Sequence, residues 1–169
     1  SQKLLKKWAI KTDLSNEGKQ IIPDVAKEIQ SYLCENTLSE ADVYGIGMGI
    51  PGPVGKDGNV EVCVNLFWNN FNPAEEMRKF FPHAYIQAGN DANVAALGEF
   101  VQGAGRKYKT MMLITLGTGV GGGIILNGDI VLGASGLAGE IGHIAVGSKD
   151  SGNCNCGNCG CVDQFASAT

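Results

Sequence analysis

Glu140-Ile141-Gly142-His143, followed by Cys154-Asn155-Cys156-Gly157-Asn158-Cys159-Gly160-Cys161, sets a carboxylate and an imidazole one helical turn apart and then four thiols within eight residues. Packing alone gives little reason for so many soft ligands in one short loop. A closed structural zinc site takes four of them, with Cys sulfur at about 2.3 Å and His nitrogen at about 2.0–2.1 Å. Five residues compete for those four places. His143, Cys154, Cys156 and Cys161 are the expected set, with Cys159 spare. A metal that joins two separate segments restrains more chain than one that closes a single small loop. An all-thiolate site made by the four cysteines, with His143 free, is the rival. Oxidised pairs or unligated thiols are the plain alternative.

Composition narrows the rest. The 169 residues suffice for one sizeable domain or two small lobes. Thirteen basic against 17 acidic side chains leave a net charge of −4, and the basic residues cluster only at Lys3, Lys6, Lys7 and in Arg106-Lys107-Tyr108-Lys109. That weighs against a nucleic-acid partner, whose phosphates need grouped Lys and Arg. Glycine reaches 25 residues without a period, so hairpins and close backbone approaches are expected. Cys34 and Cys63, each in apolar surroundings, read as buried thiols. No signal peptide or long apolar span is visible, which fits a cytoplasmic protein without a membrane partner.

Residues 3–13 read as a strand with Trp8 and Ile10 on one face. It has no turn or partner before it, so its hairpin mate is expected to be missing. Ile22, Val25, Ala26, Ile29 and Leu33 make a helical stripe over 21–34, with Pro23 in the first turn. Residues 43–50 read as a strand whose alternate glycines leave one face bare for a close approach. Pro51-Gly52-Pro53 ends it. A strand over 60–66 leads into Asn65-Leu66-Phe67-Trp68, where Asn65 by itself reads as a loop cap. Asn72-Pro73 then begins a helix with Glu75 and Glu76 in its first turn and Arg78 and Lys79 in its last, matching the macrodipole.

A short strand over 84–88, a turn at Gly89-Asn90-Asp91 and a helix over 92–102 follow, with Val94, Leu97 and Val101 inward. In strand–turn–helix units ligands sit beyond the strand's carboxyl end. Asn90 and Asp91 are N-cap residue types, or one caps while the other faces a substrate. Strands over 111–116 and 121–126 join at Gly117-Thr118-Gly119-Val120, which reads either as a plain hairpin or as one whose converging amides, with the Thr118 hydroxyl, make an anion nest. Asn127-Gly128 turns the chain into a strand over 130–132. Residues 133–139 are a flexible run, and 162–168 begin a helix.

Cys-x-Cys-Gly-x-x-Gly-Cys after Glu-x-Gly-His resembles the motif of the ROK (repressor, open reading frame, kinase) family of sugar kinases. Gly89-Asn90-Asp91-Ala92-Asn93 is similar to that family's catalytic turn. Asn65-Leu66-Phe67-Trp68 is similar to a stretch beside its sugar. Leu116-Gly117-Thr118-Gly119-Val120-Gly121-Gly122-Gly123 resembles the second phosphate loop of actin-fold sugar kinases. The family's usual Glu two positions after the last motif cysteine is Asp163 here, one methylene shorter, which puts its sugar contact in question. The first phosphate loop, Asp-x-Gly-Gly-Thr, has no match.

The resemblance implies an α/β protein of the actin-like (ribonuclease H-like) ATPase fold, two lobes around a cleft, incomplete at both ends. Residues 1–106 would form an N-terminal lobe lacking its first phosphate-loop hairpin. Residues 107–169 would start a C-terminal lobe carrying the zinc loop. The implied activity is ATP-dependent phosphorylation of a hexose, glucose to glucose 6-phosphate foremost, with Asp91 as general base. Asn65, Asn90, Asp91, Glu140, His143 and Asp163 would bind the sugar, and Gly117, Thr118 and Gly119 the ATP phosphates. His143, Cys154, Cys156 and Cys161 would hold a structural zinc. Mg-ATP, a hexose and a second copy of the chain, as a dimer, are the implied partners. The 169-residue piece alone is expected not to turn over ATP. Alternatives are a ROK kinase for N-acetylmannosamine, N-acetylglucosamine or fructose, a sugar-sensing ROK repressor, and a zinc-stapled interaction module without catalysis.

Overall fold

The structure, a computed structural model, describes residues 3–148 and 151–168. Its first helix, α1 (Ile21–Glu35), buries Ile22, Ala26 and Leu33 from the expected stripe. Cys34 does not join them. It is exposed, because the residue after Leu33 lies about 100° off the stripe. Cys63 is buried as expected. Residues 3–13 make no ladder, since no strand among the described residues pairs with them. They lie against α1 instead. Trp8 stacks on Tyr32 with ring centroids 5.6 Å apart, and Lys6 Nζ sits 5.4 Å and 5.0 Å from the two rings.

Strand β1 (Gly45–Ile50) pairs in parallel with β4 (Tyr85–Asn90), in register from Gly45 opposite Tyr85 to Ile50 opposite Asn90. Between them, β2 (Val60–Cys63) and β3 (Trp68–Phe71) form an antiparallel hairpin. The strand expected over 60–66 stops at Cys63. A 3-10 turn, Val64–Leu66, and a left-handed Phe67 at φ 58° reverse the chain so that Trp68 faces Cys63. Helix α2 (Pro73–Arg78) is capped by Asn72, whose side-chain oxygen accepts the Glu75 N–H at 3.0 Å. Ile22, Ile50, Val60, Trp68, Met77, Phe81 and Ile86 join these elements in one core. The buried Trp68 indole donates to Gly18 O at 3.0 Å, which ties the segment before α1 to the hairpin.

Helix α3 (Asp91–Val101) follows β4 with no intervening residue, and Asn90 is its N-cap, accepting the Asn93 N–H at 3.0 Å. The face it buries is not the expected one. Val94, Leu97 and Val101 are 39%, 42% and 51% exposed, whereas Ala92, Asn93 and Ala96 are buried. The reason lies in the partner. Strands β5 (Met111–Leu116), β6 (Val120–Leu126) and β7 (Asp129–Ile130) form an antiparallel sheet, and β6 carries Gly121-Gly122-Gly123 where α3 crosses it. A Cβ at Gly121 would lie 3.1 Å from Ala92 Cβ, and one at Gly123 would lie 2.5 Å from Ala96 Cβ. Small residues on the helix therefore meet bare backbone on the strand. On the other face, a Cβ at Gly122 would lie 2.5 Å from Gly139 O and 3.0 Å from Ile141 Cγ1. Asn127 (φ 53°) and Gly128 (φ 97°) are both left-handed, as the tight turn between β6 and β7 requires. The strand expected over 130–132 is reduced to β7, beyond which Val131 N–H still reaches Ile124 O at 2.8 Å.

This contact yields a direct stability prediction. Gly123→Ala is expected to destabilise the protein by about 1–3 kcal/mol, the usual cost of overpacking a close contact. The urea midpoint should fall at unchanged slope. An unaltered midpoint would show that α3 and β6 do not touch there.

Candidate functional site

The carboxyl end of the parallel pair gathers the first polar group. Asn90, half-buried, caps α3 and also donates from Nδ2 to Gly52 O at 3.3 Å, which fixes the turn after β1. Asp91, exposed at the first position of α3, accepts the Ala92 N–H on Oδ1 at 2.8 Å. Gly49 leaves room for it, since a Cβ there would come 3.3 Å from Asp91 Cα. The buried Cys63 thiol donates to Pro51 O at 3.2 Å. Burial pushes that thiol up. The amides of Leu66 and Asn65 pull against the rise, and the Asp91 carboxylate adds to it. Asn65, exposed in the turn after β2, thus shares a neighbourhood with Cys63 and Asp91.

The second group forms around the β5–β6 turn. Gly117 N–H closes on Gly119 O at 2.9 Å, and Val120 N–H donates to Asp163 Oδ1 at 2.5 Å. Asp163 begins α4 (Asp163–Ala166), which follows the cysteine loop directly. The 3-10 turn Ile141–His143 packs against the same place: a Cβ at Gly142 would lie 2.1 Å from Val120 O and 3.3 Å from Asp163 Oδ1. The structure thus brings Gly117, Gly119, Glu140, His143 and Asp163 to one end of β6. Asp91 reaches that end through Ala92, which sits on Gly121, the residue after Val120.

The cysteine loop completes the group. The ligand atoms of His143, Cys154, Cys156 and Cys161 all lie within 4.8 Å of one another. Cys159 stays outside, with its thiol 3.4 Å from Asn153 Oδ1. All six cysteines are unpaired. The edge lengths suit zinc, because a tetrahedron with about 2.3 Å bonds has edges of about 3.8 Å. Cys156 Sγ to Cys161 Sγ is 3.7 Å and Cys154 Sγ to His143 Nδ1 is 3.6 Å. Burial pushes the Cys161 thiol up to about 12, helped by hydrogen bonding to Cys156 and Cys154. Backbone hydrogen bonding at Asn158 lowers Cys156. Nδ1 of His143 faces the thiols, while Nε2 lies 3.8 Å from Glu140 Oε2. One imidazole nitrogen is thereby turned to the thiol cluster and the other to the Glu140 carboxylate.

One buried polar group escaped the sequence reading. Asn93 is 5% exposed, and its Oδ1 has no hydrogen-bond partner among the described residues. An Asn at a helix position where the small-residue face continues was the available signal. No helix among the described residues is long and apolar enough to cross a membrane.

Residues 10–169 match the model of the ROK family. A glucokinase of Halalkalibacterium halodurans is 43% identical over 167 residues, covering 98% of this chain and 50% of that relative. A xylose repressor of Caldicellulosiruptor bescii is 40% identical over 128 residues, covering 74% of this chain and 31% of that relative. The crystal structure of a ROK family glucokinase from Streptomyces griseus, in complex with glucose and AMPPNP, superposes with a TM-score of 0.81 at 32% identity, over 98% of this chain and 50% of that one. The chain spans about half the length of these kinases. Its mixed α/β elements are part of the actin-like (ribonuclease H-like) ATPase fold. The chain belongs to the ROK family.

Proposed function

We propose that the full-length protein containing this chain transfers the γ-phosphoryl group of Mg-ATP to a hexose, glucose to glucose 6-phosphate foremost. One observation carries the reading. Helix α3, headed by Asp91, and the turn carrying Glu140 and His143 press on adjacent residues of one strand, Gly121 and Val120. A carboxylate and a set of directional hydrogen-bonding groups are thus anchored to the same backbone. The Streptomyces griseus relative, with glucose and AMPPNP bound, supports the substrates.

Phosphoryl transfer asks for in-line positioning and charge neutralisation more than for covalent work by the protein. In this proposal Asp91 takes the proton of the sugar's primary hydroxyl as the new O–P bond forms and the bond to ADP breaks. Asn90, Glu140 and His143, with Asn65 beside them, hold the other hydroxyls. A site satisfied by hydroxyls rejects analogues lacking them, because its buried polar groups are then left unpaired. Gly117, Thr118 and Gly119 hold ATP phosphate, with Mg²⁺ neutralising its charge. His143, Cys154, Cys156 and Cys161 hold a zinc that supplies no chemistry to the reaction and keeps the loop that aims His143. The lobe boundary falls near 105–109.

The Caldicellulosiruptor bescii relative favours a second reading, a sugar-sensing repressor. A sugar panel with the full-length protein separates the two. Incubation with Mg-ATP and glucose, fructose, N-acetylglucosamine or N-acetylmannosamine is expected to release ADP and sugar phosphate, with glucose highest in kcat/KM. Sugar binding without any ADP release would move the assignment to the repressor.

A further inference from the structure

We infer that Asp163 is a positioning residue for the Gly117-Thr118-Gly119-Val120 turn, holding it in the shape that takes a nucleotide's phosphates, rather than a ligand of the sugar. The inference rests on the kinase reading above. Asp163 Oδ1 accepts the Val120 N–H at 2.5 Å across 43 residues of chain. Two glycines make room for that bond. A Cβ at Gly119 would lie 2.9 Å from the same oxygen and 3.6 Å from Oδ2, and one at Gly142 would lie 3.3 Å from Oδ1. The carboxylate is therefore packed on the turn itself. Beyond α4, Ala168 N–H donates to Gly117 O at 2.8 Å. Both ends of the turn, Gly117 and Val120, are thus held by the one segment that follows Cys161.

The physical consequence is preorganisation. A glycine-rich turn has much conformational freedom to lose when a ligand orders it. Anchors from a neighbouring segment remove that freedom beforehand, so binding no longer has to supply the ordering. A hydrogen bond to an ionised acceptor is among the stronger ones available for the purpose. The half-buried Asp163 side chain, one methylene shorter than Glu, engages the Val120 N–H at this range.

The test uses the full-length protein with glucose and Mg-AMPPNP as separate probes, each titrated calorimetrically. Asp163→Ala is expected to weaken AMPPNP binding about tenfold while glucose affinity changes by less than about twofold. Hydrogen exchange at the Val120 amide should accelerate. Asp163→Asn, whose carboxamide oxygen can accept the same N–H, should restore most of the nucleotide affinity. Weakened glucose binding with unchanged AMPPNP binding would assign Asp163 to the sugar and overturn the inference. Equal loss of both ligands, or no loss of either, would overturn it as well. Wild-type protein that binds no nucleotide would remove the kinase reading and this inference together.

Discussion

Asp91→Asn in the full-length protein is expected to lower kcat for sugar phosphorylation by about 10²–10⁴-fold, the range of a lost general base. That corresponds to roughly 3–5 kcal/mol of transition-state stabilisation. The substitution is well suited to the question. Asp91 Oδ1 accepts the Ala92 N–H at 2.8 Å, and an asparagine oxygen can do the same, so the start of α3 survives. What disappears is a group able to take a proton. Thermal midpoint and glucose affinity should therefore stay near those of the wild type while turnover collapses. Retention of more than about a tenth of wild-type kcat would exclude Asp91 as the base. A zinc-stapled interaction module, in contrast, would be indifferent to the change in every binding assay.

The second large effect concerns the metal. Elemental analysis of the full-length protein is expected to find about one zinc per chain, by the tetrahedral donor set. Cys161→Ser should abolish it, because that thiol is buried 3.7 Å from Cys156 Sγ at the centre of the cluster. Cys159→Ser should keep it, since its thiol faces Asn153 instead. Structural zinc contributes about 10 kcal/mol or more to small zinc-folded peptides. Even a third of that lowers the thermal midpoint by about 10 °C, at roughly 3 °C per kcal/mol for a chain of this size. Metal lost from Cys159→Ser and kept in His143→Ala would establish the all-thiolate alternative.

Much of the architecture is written in local signals. The stripe of α1, the Asn72 cap and Pro73 of α2, and the Asn127-Gly128 turn each depend on residues within a few positions of one another, and each forms as read. The four-thiol density likewise announces itself. What escapes is whatever a distant partner decides. Val94, Leu97 and Val101 look like an inward face because large apolar residues usually are one. Opposite a strand made of glycine, the fitting face is Ala92 and Ala96. Residues 3–13 have strand composition but find no ladder among the described residues. The Asp163–Val120 bond spans 43 residues and leaves no periodicity or spacing to find.

The three glycines of β6 carry an implication for how such a protein diversifies. With no side chain on either face, the distance from α3 to the Glu140 turn is set by the thickness of a single peptide ribbon, a dimension mutation cannot retune gradually. On the kinase reading proposed above, drift toward a new sugar would enter from the rim, through the exposed Asn65 loop or the run between Gly133 and Glu140, while the inner spacer stays fixed.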